Sequence, residues 1–310
     1  MKRMITRTAT ATIALVLSAC ATANPPAPAA APAAVAAEAV PVVDPAVWKL
    51  ADEDTTIYML GTIHLLPKNH NWKTSTIEQV IEAADQLILE VNAGPEDAAK
   101  LQPLIMELAI TPGLPPLKER VPEDRHARLD ELISKSGVPA QAFDMMETWF
   151  AAFTLTQVIM REYGLSPEDG VEAVLRETFK KKGKPIGELE TVREQLGFFD
   201  SLSEETQREF LASALDDAEE AKKMFGNMLN AWTVGDVDAI EATFIEAQMS
   251  EELEAALLTR RNANWTEWLG ARLEQPGTIL VAVGAGHLAG EGSVVDMLED
   301  KGYTVTRIDD

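Results

Sequence analysis

Two apolar stretches near opposite ends of the chain share one pattern, a hydrophobic strand that runs into glycine, two further residues and a histidine. Residues 56–60 lead into Gly-Thr-Ile-His64, and residues 278–283 lead into Gly-Ala-Gly-His287. A short apolar run that ends on glycine is typical of a buried strand. In α/β proteins the carboxyl ends of such strands open into the crevice that binds ligands. The pattern therefore predicts that both histidines lie at this edge of a sheet.

The rest of the hydrophobic pattern predicts strands at both ends of the domain and helices between them. Further strands are predicted over 47–50, 86–91, 184–189 and 303–308. Apolar residues at helical spacing and capping residues predict helices over 75–84, 96–110, 122–134, 143–163, 166–182, 192–200, 203–230, 237–249, 251–273 and 292–301. We expect an α/β fold in which a central mixed sheet, built from the N- and C-terminal strands, carries a large helical insertion.

The first residues have the pattern of a targeting segment and not of the folded domain. A basic start and a short apolar stretch lead to Leu-Ser-Ala-Cys20, which resembles a bacterial lipobox. Residues 1–20 are thus predicted to be a lipoprotein signal peptide with lipidation at Cys20, and Ala21 favours the outer membrane, facing the periplasm. An ordinary signal peptide with a chance cysteine is the alternative. Residues 21–46, rich in Ala and Pro, are predicted to be an extended tether, followed by one domain over 47–310.

The composition excludes one class of partner, nucleic acid, and one kind of covalent stabilisation, an intrachain disulfide. The 310 residues include 46% hydrophobic residues, which is typical of a globular chain, and the formal net charge is −23. Such an acidic surface repels phosphate backbones, so nucleic acid is not expected as a partner. Cys20 is the one cysteine, so no disulfide can form within the chain. The fold must depend on its core or on a bound ion.

His64 and His287 are candidate metal ligands, because two imidazoles in one crevice suit Zn, Mn or Co. Glu90 is the candidate third ligand, since it interrupts the apolar run Leu-Ile-Leu-Glu-Val. A buried carboxylate there needs either a strand-end position or a compensating cation, and it could instead act as general base. Hydrogen-bonded histidines without a metal are the alternative. His70 and His126 stand in polar surroundings and are expected at the surface.

Two further charged residues are candidates for catalysis. Glu190 ends the Gly-Glu-Leu-Glu strand and could face the same crevice, or it could be a solvated acid at the start of the next helix. Arg261 could bind a substrate carboxylate or orient Glu90. Its neighbour Arg260 suggests instead that both arginines lie on a solvated helix face.

Several blocks together resemble the TraB/GumN family, which includes the Tiki proteases. They are the two Gly-x-x-His motifs, the strand that ends at Glu90, the run Lys-Pro-Ile-Gly-Glu-Leu-Glu-Thr191 with Gln195-Leu196, and the pairs Arg261-Asn262 and Gly302-Tyr303. The resemblance implies an erythromycin-esterase/ChaN-like hydrolase fold over nearly all of 47–310. It also implies metal-dependent peptide cleavage by His64, His287 and Glu90. Gly-Val-Glu172 stands where relatives often have Gly-Val-Asp, which puts a role for this acid in doubt.

Three functions are therefore open. The first is a lipid-anchored, metal-dependent hydrolase that cleaves a peptide or protein substrate, with Glu90 or Glu190 assisting a metal-bound water. The second is a regulator that binds a peptide in the same crevice without cleaving it. The third is a metal-independent esterase with a histidine as base and a glutamate as its partner.

Overall fold

A six-stranded mixed sheet is the centre of the fold. The computed structural model describes residues 43–216 and 218–308. The strands of the chain are β1 Val47–Ala51, β2 Thr55–Thr62, β3 Leu66–Pro67, β4 Gln86–Leu89, β5 Leu165–Ser166, β6 Ile186–Glu188, β7 Gly277–Gly284 and β8 Val305–Ile308. In the central sheet the order is β6-β4-β7-β2-β1-β8, while β3 and β5 pair separately. The predicted α/β fold with a mixed sheet is confirmed.

The register of the sheet places the two Gly-x-x-His motifs side by side. Strands β2 and β7 are parallel neighbours, with Thr62 opposite Gly284. On the other side of β7 lies β4, also parallel, with Leu89 opposite Ala282. Strand β6 pairs in parallel with β4. Four consecutive parallel strands therefore end at one edge, where the residues that follow each strand come together.

Helices surround this sheet. They are α1 Ser75–Ala83, α2 Ala98–Ala109, α3 His126–Ser136, α4 Ala140–Phe143, α5 Thr148–Glu162, α6 Val171–Lys182, α7 Val192–Asp200, α8 Glu204–Ser213, α9 Ala218–Thr233, α10 Val237–Glu246, α11 Glu251–Glu254, α12 Arg260–Arg272 and α13 Val294–Asp300. One face of the sheet packs against α1, α6, α9 and α10, and the other against α12 and α13. Side chains of a strand alternate between these two cores, so Leu60 joins the first and Met59 the second.

A separate apolar cluster holds four of the inserted helices together. It is formed by α3, α4, α5 and α8, with the buried side chains of Leu132, Phe143, Leu155 and Leu211 among its members. Helix α5 is buried along much of its length, including Trp149. The insertion therefore has its own core and does not depend on the sheet alone.

Some predicted element boundaries are wrong. The helix predicted over 203–230 is two helices in the structure: α8 ends at Ser213, and α9 begins at Ala218. The helix predicted over 251–273 contains a π-helical turn at Ala255–Thr259, where the Arg260 N–H bonds the Ala255 carbonyl. The start predicted at residue 143 is also too early, since α5 begins at Thr148. Periodicity alone does not detect one added residue in a turn or a short break between helices.

The predicted signal peptide and most of the tether lie outside the described residues. Within 43–216 and 218–308, no helix has the length and apolar character that would let it cross a membrane.

Candidate active site at the carboxyl ends of the parallel strands

Three of the predicted site residues converge on Gly284 at the end of β7. A β-carbon on this glycine would lie 3.3 Å from Glu90 Oε1, 3.5 Å from His287 Cδ2 and 3.6 Å from His64 Nε2. The bare backbone of Gly284 thus lets a carboxylate and two imidazoles approach one point closely. Its N–H donates to Glu90 Oε1 at 2.7 Å, which fixes that carboxylate.

His64 forms an ion pair with Glu172, an acid from the first turn of α6. Nδ1 of His64 lies 2.6 Å from Glu172 Oε1, and the imidazole is 63% exposed whereas the carboxylate is 15% exposed. The Thr62 hydroxyl donates to the same carboxylate oxygen. The Glu172 carboxylate raises the pKa of His64 to about 9, against the opposing effect of burial. With Nδ1 bonded to Glu172, Nε2 is the nitrogen left to face the crevice.

The main chain holds His64 against the start of α6. Val171 N–H donates to the Ile63 carbonyl at 3.1 Å. The Trp232 indole N–H donates to the Gly61 carbonyl at 2.8 Å, so the turn that leads to His64 is fixed from both sides.

Glu90 and Glu190 are buried acids that share one guanidinium. Arg261 Nη2 donates to Glu90 Oε2 at 2.6 Å, while Nε donates to Glu190 Oε1 at 2.9 Å. Burial penalises the charge of Glu90, but the positive charges that His287 and His64 carry when protonated, the guanidinium and the Gly284 N–H outweigh it and lower its pKa to about 2. Burial raises the pKa of Glu190, against the effect of Arg261. The guanidinium is therefore the cation that compensates both carboxylates.

His287 is held as a neutral imidazole. Its Nδ1 lies 2.6 Å from Asn262 Oδ1, and Asn262 Nδ2 donates to the Gly292 carbonyl, which leaves Oδ1 as the acceptor for an Nδ1–H. Nε2 then accepts from Arg261 Nη1 at 3.2 Å. Burial lowers the pKa of His287 to about 3, and the charge of Arg261 acts in the same direction. The ring also packs on Trp265, with centroids 4.4 Å apart.

The predicted metal ligands have suitable chemistry, but Arg261 bonds two of their ligand atoms in this structure. Imidazole nitrogen and carboxylate oxygen are the usual ligands of Zn and Mn, and both histidines have their Nδ1 atoms oriented by an acceptor, as metal ligands do. The guanidinium of Arg261, however, already bonds both His287 Nε2 and Glu90 Oε2. Over the described part of the chain, no group of three or more His, Cys, Asp or Glu side chains could hold a metal ion.

Sequence reasoning identified most of this cluster but misjudged some of its members. Arg261 is buried and bonds Glu90, so the solvated helix face is wrong for it. Glu190 is likewise buried in the crevice and not a solvated helix-start acid. Glu172, whose role was in doubt, is the partner of His64. The surface prediction for His70 is wrong, because this half-buried ring lies 3.1 Å from Thr233 Oγ1.

Two further residues contribute to the site, and the sequence assigned neither of them a role. Gln195 donates to Glu90 Oε2 from α7 at 3.2 Å, and Asn262 orients His287. Both stand in the blocks that resemble the family, which was the signal available for them. Which atoms they bond depends on how α7 and α12 pack beside the ends of the strands.

Gly170, the residue before α6, lies against the main chain of His64, and its replacement tests whether this close contact is needed. A β-carbon at this position would lie 2.1 Å from the His64 carbonyl oxygen, so we expect Gly170→Ala to displace the His64 loop and cost about 1–3 kcal/mol of unfolding free energy, as overpacking does. Gly226→Ala is the matched control, since no atom lies within 4 Å of its added carbon and the change improves helix propensity. Urea denaturation of both variants measures the difference; equal stability would show that the loop yields without cost.

The fold and the site together define an α/β protein with a buried Glu–Arg–Glu centre and two strand-end histidines. The chain belongs to the TraB/PrgY/gumN family, whose profile matches residues 46–307. It is similar to the uncharacterized protein YbaP of Escherichia coli strain K12 and to that of Shigella flexneri. Each is 25% identical over 241 residues, which are 78% of this chain and 87% of the relative. No solved structure matches the chain, so the ChaN-like comparison stays a prediction.

Proposed function

We propose that this protein is a hydrolase of the cell envelope that cleaves an amide or ester bond of a peptide or protein in the crevice between His64 and Glu90. The observation that carries this proposal is the His64–Glu172 pair, in which a carboxylate that is only 15% exposed orients an exposed imidazole at 2.6 Å. An imidazole held in this way at a strand-end crevice is the arrangement that general-base catalysis uses.

The chemistry divides between the two histidines. His64, through Nε2, takes a proton from the attacking water, and Glu172 stabilises the imidazolium that forms. His287 has its lone pair directed at Arg261 and therefore positions the centre without exchanging protons at neutral pH. Glu90, held by the Gly284 N–H and by Arg261, presents a fixed negative charge to the crevice beside His64.

The pH dependence of hydrolysis tests the role of His64. Because Glu172 raises the pKa of His64 to about 9, the free base is scarce at neutral pH. We expect log kcat/KM to rise by about one per pH unit and to level off near pH 9, as for a single essential base. In Glu172→Gln the break should move down toward the ordinary histidine value, with a lower plateau. A profile that is flat from pH 6 to 9 would contradict His64 as the base.

A metal-dependent hydrolase is the second candidate. The orientation of both Nδ1 atoms by acceptors favours it, and His64, His287 and Glu90 would be the residues that hold a Zn, Mn or Co ion. Peptide-library cleavage before and after treatment with a chelator separates the two candidates. Activity that survives the chelator supports the His64–Glu172 base, whereas loss of activity that Mn, Co or Zn restores supports the metal.

Non-catalytic peptide binding is distinguished from both by the same library. Binding without cleavage predicts that native protein binds library peptides but forms no product from them. It also predicts that His64→Ala changes neither peptide binding nor the biological effect. Both results together would show that the crevice is a binding site and not a hydrolase site.

The location in the envelope follows from the sequence of the first residues. We propose lipidation at Cys20 and an outer-membrane position that faces the periplasm. Cells grown with a labelled fatty acid should transfer the label to the full chain and not to a Cys20→Ala variant. A chain that stays unlabelled in both would contradict the anchor.

A further inference from the structure

Helices α9 and α10 pack against each other as a hairpin, and its corner is fixed beside the first and last strands of the sheet. The Asp44 N–H, just before β1, donates to the Thr233 carbonyl at 2.7 Å, and Arg307 Nη1 of β8 donates to the Gly235 carbonyl at 2.6 Å. Gly235 has a φ of +68°, which allows the tight turn between the two helices. The hairpin therefore has a fixed base from which its two helices extend.

Trp232, near the end of α9, holds the first Gly-x-x-His turn. Its indole N–H donates to the carbonyl of Gly61, three residues before His64, at 2.8 Å. The indole is buried beside Trp72 and His70, with ring centroids 6.5 Å and 6.0 Å away. A buried carbonyl needs such a donor, so this bond fixes the main chain where it turns toward His64.

Phe244, in α10, lies against the second Gly-x-x-His turn. A β-carbon on Gly286, the residue before His287, would lie 2.6 Å from Phe244 Cε2 and 3.1 Å from Cε1, so the ring packs directly on the main chain. One turn earlier in α10, Glu241 Oε1 accepts the N–H of Glu291 at 3.0 Å. Helix α10 therefore contacts the main chain on both sides of His287.

The two turns also touch each other. A β-carbon on Gly61 would lie 3.1 Å from Ala285 Cα, so neither turn can move far toward the other. The same hairpin thus contacts both turns, and through them it controls where both imidazoles lie. This control matters for chemistry, because a displacement of about 1 Å in a catalytic group can cost about 10²-fold in rate.

We propose that the α9–α10 hairpin positions both histidines of the site, with Trp232 holding the first Gly-x-x-His turn and Phe244 the second. Both are positioning residues, since each acts through the main chain of a turn. The proposal deepens the proposed function and rests on it for the kinetic measurements. Hydrogen exchange tests it whether or not the protein hydrolyses a peptide.

Trp232→Phe tests the first contact, because it keeps an aromatic ring and removes the N–H that bonds Gly61. With a cleaved library peptide, kcat should fall by about 10–10²-fold while KM changes little, since the base is displaced and the substrate contacts remain. Trp149→Phe is the matched control. Both indoles are 1% exposed, and that of Trp149 donates to Asp200 Oδ1 at 3.4 Å in the helical insertion. This control should lose stability but keep its kcat.

Gly286→Ala tests the second contact. The φ of Gly286 lies outside the left-handed region, so the added methyl is opposed by the ring of Phe244 and not by backbone strain. We expect kcat to fall in Gly286→Ala. Phe244→Leu in the same chain removes the ring atoms that the methyl meets and should restore most of the loss. If the losses in the two single variants add up in the double variant, the role of Phe244 is overturned.

Amide hydrogen exchange of the full-length protein, followed by mass spectrometry without any substrate, completes the test. Exchange over residues 61–65 should be about tenfold faster in Trp232→Phe than in Trp149→Phe, because local opening of the turn becomes easier. Exchange over residues 284–288 should rise in Gly286→Ala and fall again when Phe244→Leu is added. Should Trp232→Phe not fold, this second series decides by itself.

The outcomes separate the two proposals. A native protein that cleaves no peptide contradicts the hydrolase, while the exchange rates still report on the hairpin. Equal exchange over residues 61–65 in Trp232→Phe and Trp149→Phe would overturn the positioning role of Trp232, even in a protein that is an active hydrolase.

Discussion

Replacement of His64 by glutamine should lower kcat/KM for hydrolysis by about 10²–10⁴-fold, the usual contribution of a positioned general base. The imidazole is exposed at the crevice and bonds through Nδ1 to Glu172, so a side chain of similar size without a titratable nitrogen removes the base but little packing. The thermal midpoint should nevertheless fall, because the charged partner of the Glu172 carboxylate is lost. Rates measured with a cleaved library peptide, together with the midpoint, separate loss of chemistry from loss of structure.

His126→Gln is the matched control for this prediction. His126 begins α3, in the helical insertion and away from the strand ends, and the same exchange there should leave kcat/KM unchanged. Equal activity in His64→Gln and native protein would remove His64 from the mechanism, whatever the other residues do.

Replacement of Arg261 by methionine should lower the free energy of unfolding by about 3–5 kcal/mol, the cost of breaking a buried ion pair by removing one partner. The reason is that Glu90 and Glu190 would stay buried without the guanidinium that each of them bonds. Chemical denaturation at pH 7 with a chelator present measures the loss.

The loss of unfolding free energy in Arg261→Met should also depend on pH, and its direction can be worked out from the pKa shifts. In native protein the pKa of Glu90 is lowered to about 2, so its charge stabilises the fold above the ordinary value of 4.5 and this contribution disappears as pH falls toward 2. Burial already raises the pKa of Glu190 against the effect of Arg261, so without the guanidinium burial favours the protonated form of Glu190 more strongly. The folded variant then binds a proton at Glu190 more readily than the unfolded chain does. The stability difference between variant and native protein should therefore shrink as pH falls from 7 to 5.

Arg120→Met is the control, because Arg120 is also buried and its hydrogen-bond partners are neutral, namely three main-chain carbonyls and the Thr148 hydroxyl. Its destabilisation should stay nearly constant between pH 7 and 5. A difference for Arg261→Met that is equally constant would contradict the uncompensated-carboxylate explanation.

The sequence predicted the sheet better than the connections around it. The apolar run 279–283 is buried in the structure, because two cores cover the two faces of the sheet. Short features were missed, including the two-residue strand β3 and the π-helical turn before α12. Such features carry no periodicity that sequence reasoning can detect.

Most of the candidate site was identified for a chemical reason. A glutamate within an apolar run and histidines after apolar strands are expensive to bury unless they have partners, so His64, Glu90 and His287 were evident from local context. The identity of the partners was not evident. Glu172 lies far along the chain from His64, and only the packing of α6 on the end of β2 brings the two within 2.6 Å.

The sequence by itself determined which strands end in glycine and histidine, and that Glu90 needed either a strand-end position or a compensating cation. Only the tertiary structure decided that β7 lies between β2 and β4, so that these three residues meet at Gly284. It also decided that the cation beside Glu90 is the guanidinium of Arg261. Strand order and helix docking depend on the packing of distant surfaces, and a local pattern of hydrophobic and polar residues does not encode which of those surfaces meet.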